Sequence, residues 1–486
     1  MPRSFRPLLI STLALLHGRS QKQIGAAAGI PQKRVSQLLR GEEIEDEPFK
    51  RLVAATSNQP AEVSIVTMCL ESLAGLEQNG DLTAAERVEV ELGVQKTVDL
   101  VRRVLKESVR RSRDAPGLDR YPQDADLEPA RWHAAMLFRV LQELPEPGQW
   151  VVVRAAREYQ SWALAERLCE ESEVQASRDL ERAAFLARLA RQVARRVRGP
   201  KGWVRRIRAL AATHAANVLW VAGRLNAAAA LFKKARLLWD AGSDPDRVLD
   251  PGRLLDLEAS LCRAQHRFKD ALALLDQARG VSRRPLQILI NQGFTLEVMG
   301  EYERAIETLL EAKALPEVEA DPRLRNLLYS NLALDFCHAG RFAEAAEVTQ
   351  QVRETAAERG DGIGLLLVLC LDGRIAAGLG RTGEALSLLA QARRAFEALE
   401  MMYEVAMARL EEAALLLDEG RTAEVKALTR GLLAVFEARE VHPEALAALR
   451  LFHEAAGREA ATAELARRVL RYLFRARYYL GLRFEP

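Results

Sequence analysis

The sequence predicts an all-α chain in which a small N-terminal helical bundle is followed by a solenoid of stacked helix pairs. Three observations carry this prediction. Leu, Ala, Glu and Arg dominate the 486 residues while β-branched residues are sparse, a mixture that favours helix throughout. One short phrase recurs at a fixed spacing in the second half of the chain. Residues 20–41 read as two short helices joined by a turn. The chain is too long for one ordinary core, so several domains or an open-ended repeat array are expected. With 49% apolar and 28% charged residues it has the composition of a folded chain and not of a disordered one.

The recurring phrase begins at Gly300, Gly340, Gly380 and Gly420, 40 residues apart, each glycine following an apolar helix. It reads Gly-Glu-Tyr-Glu-Arg-Ala at 300–305, Gly-Arg-Phe-Ala-Glu-Ala at 340–345, Gly-Arg-Thr-Gly-Glu-Ala at 380–385 and Gly-Arg-Thr-Ala-Glu-Val at 420–425. Weaker copies start at Gly223 and at His266, and a decayed one at Gly457. The pattern is that of an antiparallel helix pair. Glycine permits the φ > 0 turn that ends the first helix. A small residue seven positions earlier (Gly293, Ala333, Gly373, Ala413) lets the two helices approach, and Ala305, Ala345 and Ala385 do the same from the second. Leu309 and Leu389 are expected to fill the space between neighbouring pairs. On these residues the pattern resembles the tetratricopeptide repeat, most fully at Gly293, Gly300, Tyr302, Ala305, Leu309 and Ala312. The family repeat has about 34 residues, so the helices or loops here must be extended. The resemblance implies a solenoid whose concave face binds a peptide, protein or other effector.

The N-terminal segment has another character. Ser20 caps a helix of about eight residues that ends at Gly29, and Pro31 opens a second helix that closes at Gly41. Small residues at Gly25 and Ala28 would let the pair cross closely. Ile24, Ile30, Val35 and Leu38 would fill the space between them, with Leu9, Leu13 and Leu16 on a preceding helix and Phe49, Leu52 and Val53 on a later one. Ser20-Gln21, Ile24-Gly25, Ala28-Gly29-Ile30, Val35-Ser36 and Gly41 together resemble the lambdoid-repressor (Cro/cI) helix-turn-helix family. The resemblance implies double-stranded DNA as a partner. Gln21 would meet a phosphate with Lys22 beside it, Gln32 and Lys33 would meet base edges, and Arg34 and Gln37 would lie nearby on bases or backbone. Gln pairs with adenine and Lys donates to guanine, so the residue types suit major-groove reading. Residues 1–58 carry nine Lys or Arg against five acids, all five between Glu42 and Glu47, whereas the formal charge of the whole chain is only +3. Modules of this size usually bind as dimers on half-sites one helical turn apart, which implies a homodimer.

Between these regions, 83–113 reads as a helix with Val94, Val98, Val101 and Leu105 on one side. It is a candidate dimerisation element or a packing partner for the first repeats. Asp114–Pro129, with three prolines, reads as a linker, and 150–198 as a helix pair with its turn near Glu171–Ala176. The expected domains are a helix-turn-helix DNA-binding domain at 1–58, a helical connector and linker at 59–129, atypical helix pairs at 130–208, and tetratricopeptide-like repeats with a C-terminal capping helix at 209–486. All six tryptophans fall between 132 and 239, consistent with bulky packing. Nine Lys or Arg and no acid lie between Arg188 and Arg208. Arg467, Arg468, Arg471, Arg475, Arg477 and Arg483 form a second basic cluster, interleaved with Tyr472, Phe474, Tyr478 and Tyr479.

The five cysteines are isolated, and no stretch reaches the roughly 20 apolar residues of a membrane span. The apolar run Leu8–Leu16 behind Arg3 and Arg6 lacks a small-x-small cleavage site, so a cytoplasmic protein without membrane contact is expected. The chain holds no phosphate-loop motif, no Gly-x-Ser-x-Gly elbow and no paired His-Glu zinc helix. The expectation is therefore a non-enzyme, without cofactor or metal. The function expected is transcription regulation by DNA binding, with effector control through the solenoid. The order of modules resembles the peptide-sensing regulators of Gram-positive bacteria in architecture only. The alternative is a non-DNA-binding interaction scaffold in a signalling or defence complex.

Overall fold

The computed structural model describes residues 6, 9–10, 13–14, 19–39, 45–56, 63, 67, 96–97, 100–101, 103–104, 106–107, 120–428, 443–457, 460–476 and 484. Among them there is no strand. The chain is all-α and forms two compact units, 1–249 and 250–486.

The first unit begins with a bundle of α1 (Gln21–Ala28), α2 (Gln32–Leu39) and α3 (Asp46–Thr56), with the helical residues Arg6, Leu9, Ile10, Leu13 and Ala14 before it. Ser20 forms a reciprocal capping box with Gln23, and Gly29 ends α1 at φ 66°. Ile10, Ala14, Ile24, Ala28, Val35, Leu38, Leu52 and Ala55 make its core. The expectation that Leu9 and Leu13 belong there is corrected, since they pack into the larger core that follows and Ile10 and Ala14 take their place. A helix with apolar residues at consecutive positions has two buried faces, and tertiary contacts decide which goes where. Leu16 and Gly41 lie outside the described residues.

That larger core joins α4 (Asp124–Gln142), α5 (Glu146–Ala155), α6 (Trp162–Ala176), α7 (Leu180–Arg196), α8 (Lys201–Val221) and α9 (Leu225–Asp240). Residues 124–129, read above as linker, are the first turns of α4, and Pro129 is accommodated inside that helix. The turn expected at 171–176 is instead helical, and the chain reverses at 177–179, where Asp179 caps α7. Val101 and Val104 are buried in this core, so these two residues of the 83–113 stretch serve packing; Val94, Val98 and Leu105 lie outside the described residues. Trp203 and Trp162 meet edge to face at 5.9 Å inside the core, whereas Trp132 is 68% exposed. Tyr121 donates to Asp244 at 2.6 Å, and Asp244 accepts from the backbone of Val248 and Leu249, which folds the 242–249 loop back onto this unit.

The second unit is a stack of tetratricopeptide-like helix pairs: α10 (Gly252–Ala264) with α11 (Phe268–Arg279), α12 (Pro285–Met299) with α13 (Tyr302–Lys313), then the short α14 (Glu317–Ala320). There follow α15 (Pro322–His338) with α16 (Phe342–Glu358), α17 (Gly362–Gly378) with α18 (Thr382–Ala398), and α19 (Met402–Asp418) with a helical stretch at 422–428. Gly300, Gly340, Gly380 and Gly420 all take φ between 72° and 82°, and an added Cβ would meet nothing within 4 Å. Their requirement is therefore conformational and not steric. His266 adopts φ 58° at the equivalent turn. Gly293 serves the other purpose, because a Cβ there would lie 2.6 Å from Leu309 Cδ2. Leu309 and Leu389 thus seat on Gly293 and Gly373 of their own pairs, not only in the space between pairs. The unit ends in α20 (Pro443–Gly457) and α21 (Ala463–Ala476), the latter burying Ala466, Val469, Tyr472 and Leu473 in a core shared with α19. Arg477, Tyr478, Tyr479 and Arg483 lie outside the described residues.

Candidate functional site

Among the described residues, two of the places that combine polar chemistry with access bear on the sequence expectations. The first is the start of α2. The middle of α1 rests directly on the turn before α2, because an added Cβ on Gly25 would lie 2.5 Å from the Ile30 carbonyl oxygen and 3.6 Å from the Gln32 nitrogen. Only glycine allows that approach, and it fixes the direction in which α2 leaves the bundle. Val35 and Leu38 are buried beneath, so the opposite side of α2 must face solvent. Gln32, Lys33 and Arg34 are exposed together on its first turn, and Gln37 is half-exposed one turn after Lys33, on the same side. Gln21 and Lys22 are exposed on the first turn of α1. Neither first turn carries an acid. Of the acidic cluster, Asp46 is paired with Arg6 at 2.5 Å and Glu47 with Lys50 at 2.9 Å. Glu42 and Glu43 lie outside the described residues. All six residues singled out from sequence are therefore accessible, four of them on α2.

The second place is a cavity of about 580 Å³ in the second unit, lined by residues of α15 to α19 and of α21. Its apolar wall includes Phe342, Met407, Leu415 and Phe474, and its polar groups are ionisable. Arg374 donates through Nε to Glu411 Oε1 at 2.6 Å. Burial works against the Arg374 charge, but the Glu411 carboxylate more than offsets this and holds the guanidinium above its ordinary range. Burial, with the charges of Arg374 and Arg471, pushes the His338 imidazole down to about 3. His338 is therefore neutral at physiological pH, stacked on Tyr302 at 4.8 Å and edge-on to Phe474 at 6.1 Å. Burial pushes the thiols of Cys337 up to about 11 and Cys370 up to about 12, so both remain protonated. Arg467 is paired with Asp418, and Arg471 with Glu464 at 2.8 Å.

Near this cavity two carboxyls lie in the core, Glu297 on α12 at 5% exposure and Asp335 on α15 at 0%. Neither Asp335 oxygen has a hydrogen-bond partner, nor has Glu297 Oε1. Burial raises both carboxyls well above the carboxylate range; the Arg374 charge partly opposes this at Glu297, and the Glu297 charge adds to it at Asp335.

None of Arg374, Glu411, His338, Glu297 and Asp335 was marked by sequence reasoning. A signal existed for two of them. Asp335 stands two positions after the small residue of its repeat, where the others carry Thr295, Ile375 and Leu415, and Glu297 stands four after, where the others carry Cys337, Ala377 and Leu417. An acid at a position otherwise apolar or weakly polar marks a buried charge. Among the described residues no group of three or more His, Cys, Asp or Glu side chains is placed to hold a metal ion. No helix among them is long and apolar enough to cross a membrane.

No family model matches the chain, and no curated protein does. Solved structures are similar at low identity. The apo form of RapI is 10% identical over 64% of this chain and 86% of its own, with a TM-score of 0.49. A Rap protein complexed with competence and sporulation factor is 11% identical over 65% and 88%, with a TM-score of 0.48. A signal transduction ATPase with numerous domains from Pyrococcus horikoshii, which has a tetratricopeptide repeat sensor, is 11% identical over 94% and 72%, with a TM-score of 0.46.

Proposed function

We propose that the chain is a DNA-binding transcriptional regulator of the helix-turn-helix type, with the cavity of its second unit as the seat of a peptide or protein effector. One observation carries the DNA-reading part. Gln32, Lys33 and Arg34 stand exposed side by side on the first turn of a short helix whose exit angle is fixed by the Gly25–Ile30 contact. The first turns of a recognition helix meet base edges in the major groove, and amide and cationic side chains are the groups that read them. The cavity suits a peptide side chain or terminus, because apolar walls beside fixed ion pairs offer both burial and orientation. Effector binding would act by shifting the population of conformations in which the α2 surfaces fit their operator.

Fluorescence anisotropy on duplex fragments from the protein's own promoter region, at several salt concentrations, tests this. Salt-sensitive binding by the wild type should weaken strongly in a Gln32→Ala/Lys33→Ala/Arg34→Ala variant. Absent binding, or equal binding by both proteins, would leave an interaction scaffold as the function.

A further inference from the structure

The basic run at 188–208 folds into a shape that its sequence does not announce. The C-terminal half of α7, the middle of α8 and one face of α9 enclose a cleft of about 280 Å³. Arg191, Arg195, Arg208 and Lys234 line it over an apolar floor that includes Ala212 and Leu238, and no acid is among the lining residues. Other arginines of the run are engaged. Arg206 stacks on Trp239 at 4.3 Å, and Arg205 donates to the Ala241 carbonyl at 2.9 Å. The cleft cations differ from these. Among the described residues no carboxylate pairs with any of the four, and Arg208 donates only to the Arg195 backbone carbonyl at 3.3 Å. A neutral acceptor serves the neighbouring arginines. The Gln192 carbonyl oxygen, in the amide orientation its surroundings require, accepts from Arg196 at 2.5 Å and from Arg154 at 3.0 Å.

Like charges held this close repel, and each loses hydration where it is half-buried. Both effects act on Arg191, whose guanidinium is held below its ordinary range first by burial and then by the Arg195 charge. Arg196 is lowered in the same way, by burial and then by Arg154 and Arg195. Some arginines of this unit are given carboxylates, as Arg131 is by Glu166 at 2.8 Å and Arg120 by Asp126 at 2.9 Å. Among the described residues nothing neutralises the cleft, and its four cations face a space that can admit a counter-charge from outside.

We propose that this cleft is a binding site for phosphate groups, carried either by a compact polyphosphorylated molecule or as successive phosphates of a nucleic-acid backbone. Three planar guanidinium forks suit phosphate oxygens bidentately, and four cations around one small space call for more than one negative charge per ligand group. The volume lies just below that of pockets for whole drug-sized ligands, ~300–1,000 Å³. It therefore takes a di- or triphosphate group, with any attached body resting over Leu238. The site is independent of DNA reading by α2.

The test uses the full chain, with sodium tripolyphosphate and ATP followed by calorimetric titration and a 20-base-pair duplex followed by anisotropy. Wild type is compared with Arg195→Gln/Arg208→Gln, both exposed positions whose change leaves the core intact. The Gln32→Ala/Lys33→Ala/Arg34→Ala variant serves as a control that keeps the cleft. Tripolyphosphate should bind the wild type and the control at one site, and about tenfold or more weaker to the cleft variant. Without ligand, the cleft variant should melt at the same temperature or higher, because a repulsion has been relieved, while losing the ligand-induced rise in Tm. If small polyphosphates bind and their binding is lost in the variant, the source is a free phosphorylated molecule. If only duplex binding is lost, and the control still shows the cleft-dependent part, the source is a nucleic-acid backbone. Either result upholds the site. The proposal is overturned if no phosphate probe binds the wild type, if the cleft variant binds as well as wild type, or if polyglutamate displaces tripolyphosphate at equal charge concentration.

Discussion

Removing Arg374 while leaving Glu411 in place isolates a buried charge. The Glu411 side chain is 8% exposed, and Arg374, itself 21% exposed, is paired with one of its oxygens; the other has no hydrogen-bond partner. Breaking a buried ion pair by deleting one member costs about 3–5 kcal/mol, because an uncompensated charge stays behind. Solvent at the Arg374 side screens part of this, so Arg374→Met should cost about 2–3 kcal/mol at neutral pH. For a unit of this size that lowers its melting temperature by roughly 4–12 °C. The loss must also depend on pH in a definite direction. An unpaired buried carboxylate costs most at neutral pH, where carboxylates are charged, and less in acid, where they are protonated. Replacing both partners, Arg374→Met/Glu411→Gln, should recover most of the stability and abolish this pH dependence. Calorimetric melting of the full chain at pH 5 and pH 7.5, on wild type, both single variants and the double variant, measures all of this. If the double variant is as damaged as Arg374→Met, and equally at both pH values, the Arg374 stem is needed for packing and the electrostatic account fails.

Other perturbations follow from the same structure. The raised pKa values of Glu297 and Asp335 mean that the folded state keeps a proton the unfolded chain has released, so stability falls as pH rises from about 4 toward their raised values. Asp335→Asn should therefore gain on the wild type between pH 5 and pH 8 in urea titrations, and parallel curves would refute the assignment. His266 holds φ 58° where the strongest repeats have glycine. His266→Gly should stabilise the second unit by about 0.5 kcal/mol, the relief of left-handed strain exceeding the entropy cost of glycine, as read from the urea midpoint. Gly25→Ala puts a Cβ 2.5 Å from a backbone oxygen. Overpacking of about 1–3 kcal/mol should outweigh the helical gain of at most about 1 kcal/mol, lowering amide protection at Val35 and Leu38 together with any duplex affinity.

The sequence by itself determined what is local or periodic. The 40-residue spacing of Gly300, Gly340, Gly380 and Gly420 marks turns that the structure places at positive φ, because only a residue without a Cβ adopts that conformation freely. Ser20, Gly25 and Gly29 marked the ends and crossing of α1 for the same kind of reason, and the accessible positions on α2 followed from the spacing of Val35 and Leu38. Tertiary structure alone decided which of two adjacent apolar faces went to which core, as with Leu9 and Leu13 against Ile10 and Ala14. It also decided that residues around Pro129 would be helical, since burial of Leu137, Phe138 and Leu141 along the same helix outweighs a proline near its start. The ion pair of Arg374 with Glu411 spans 37 residues, and the basic cleft draws Lys234 to Arg191, Arg195 and Arg208. Neither follows from spacing along one helix. Charge in a sequence fixes only which groups must be solvated or paired; distance and burial, which set whether they repel, pair or wait for a ligand, exist only once the helices have packed.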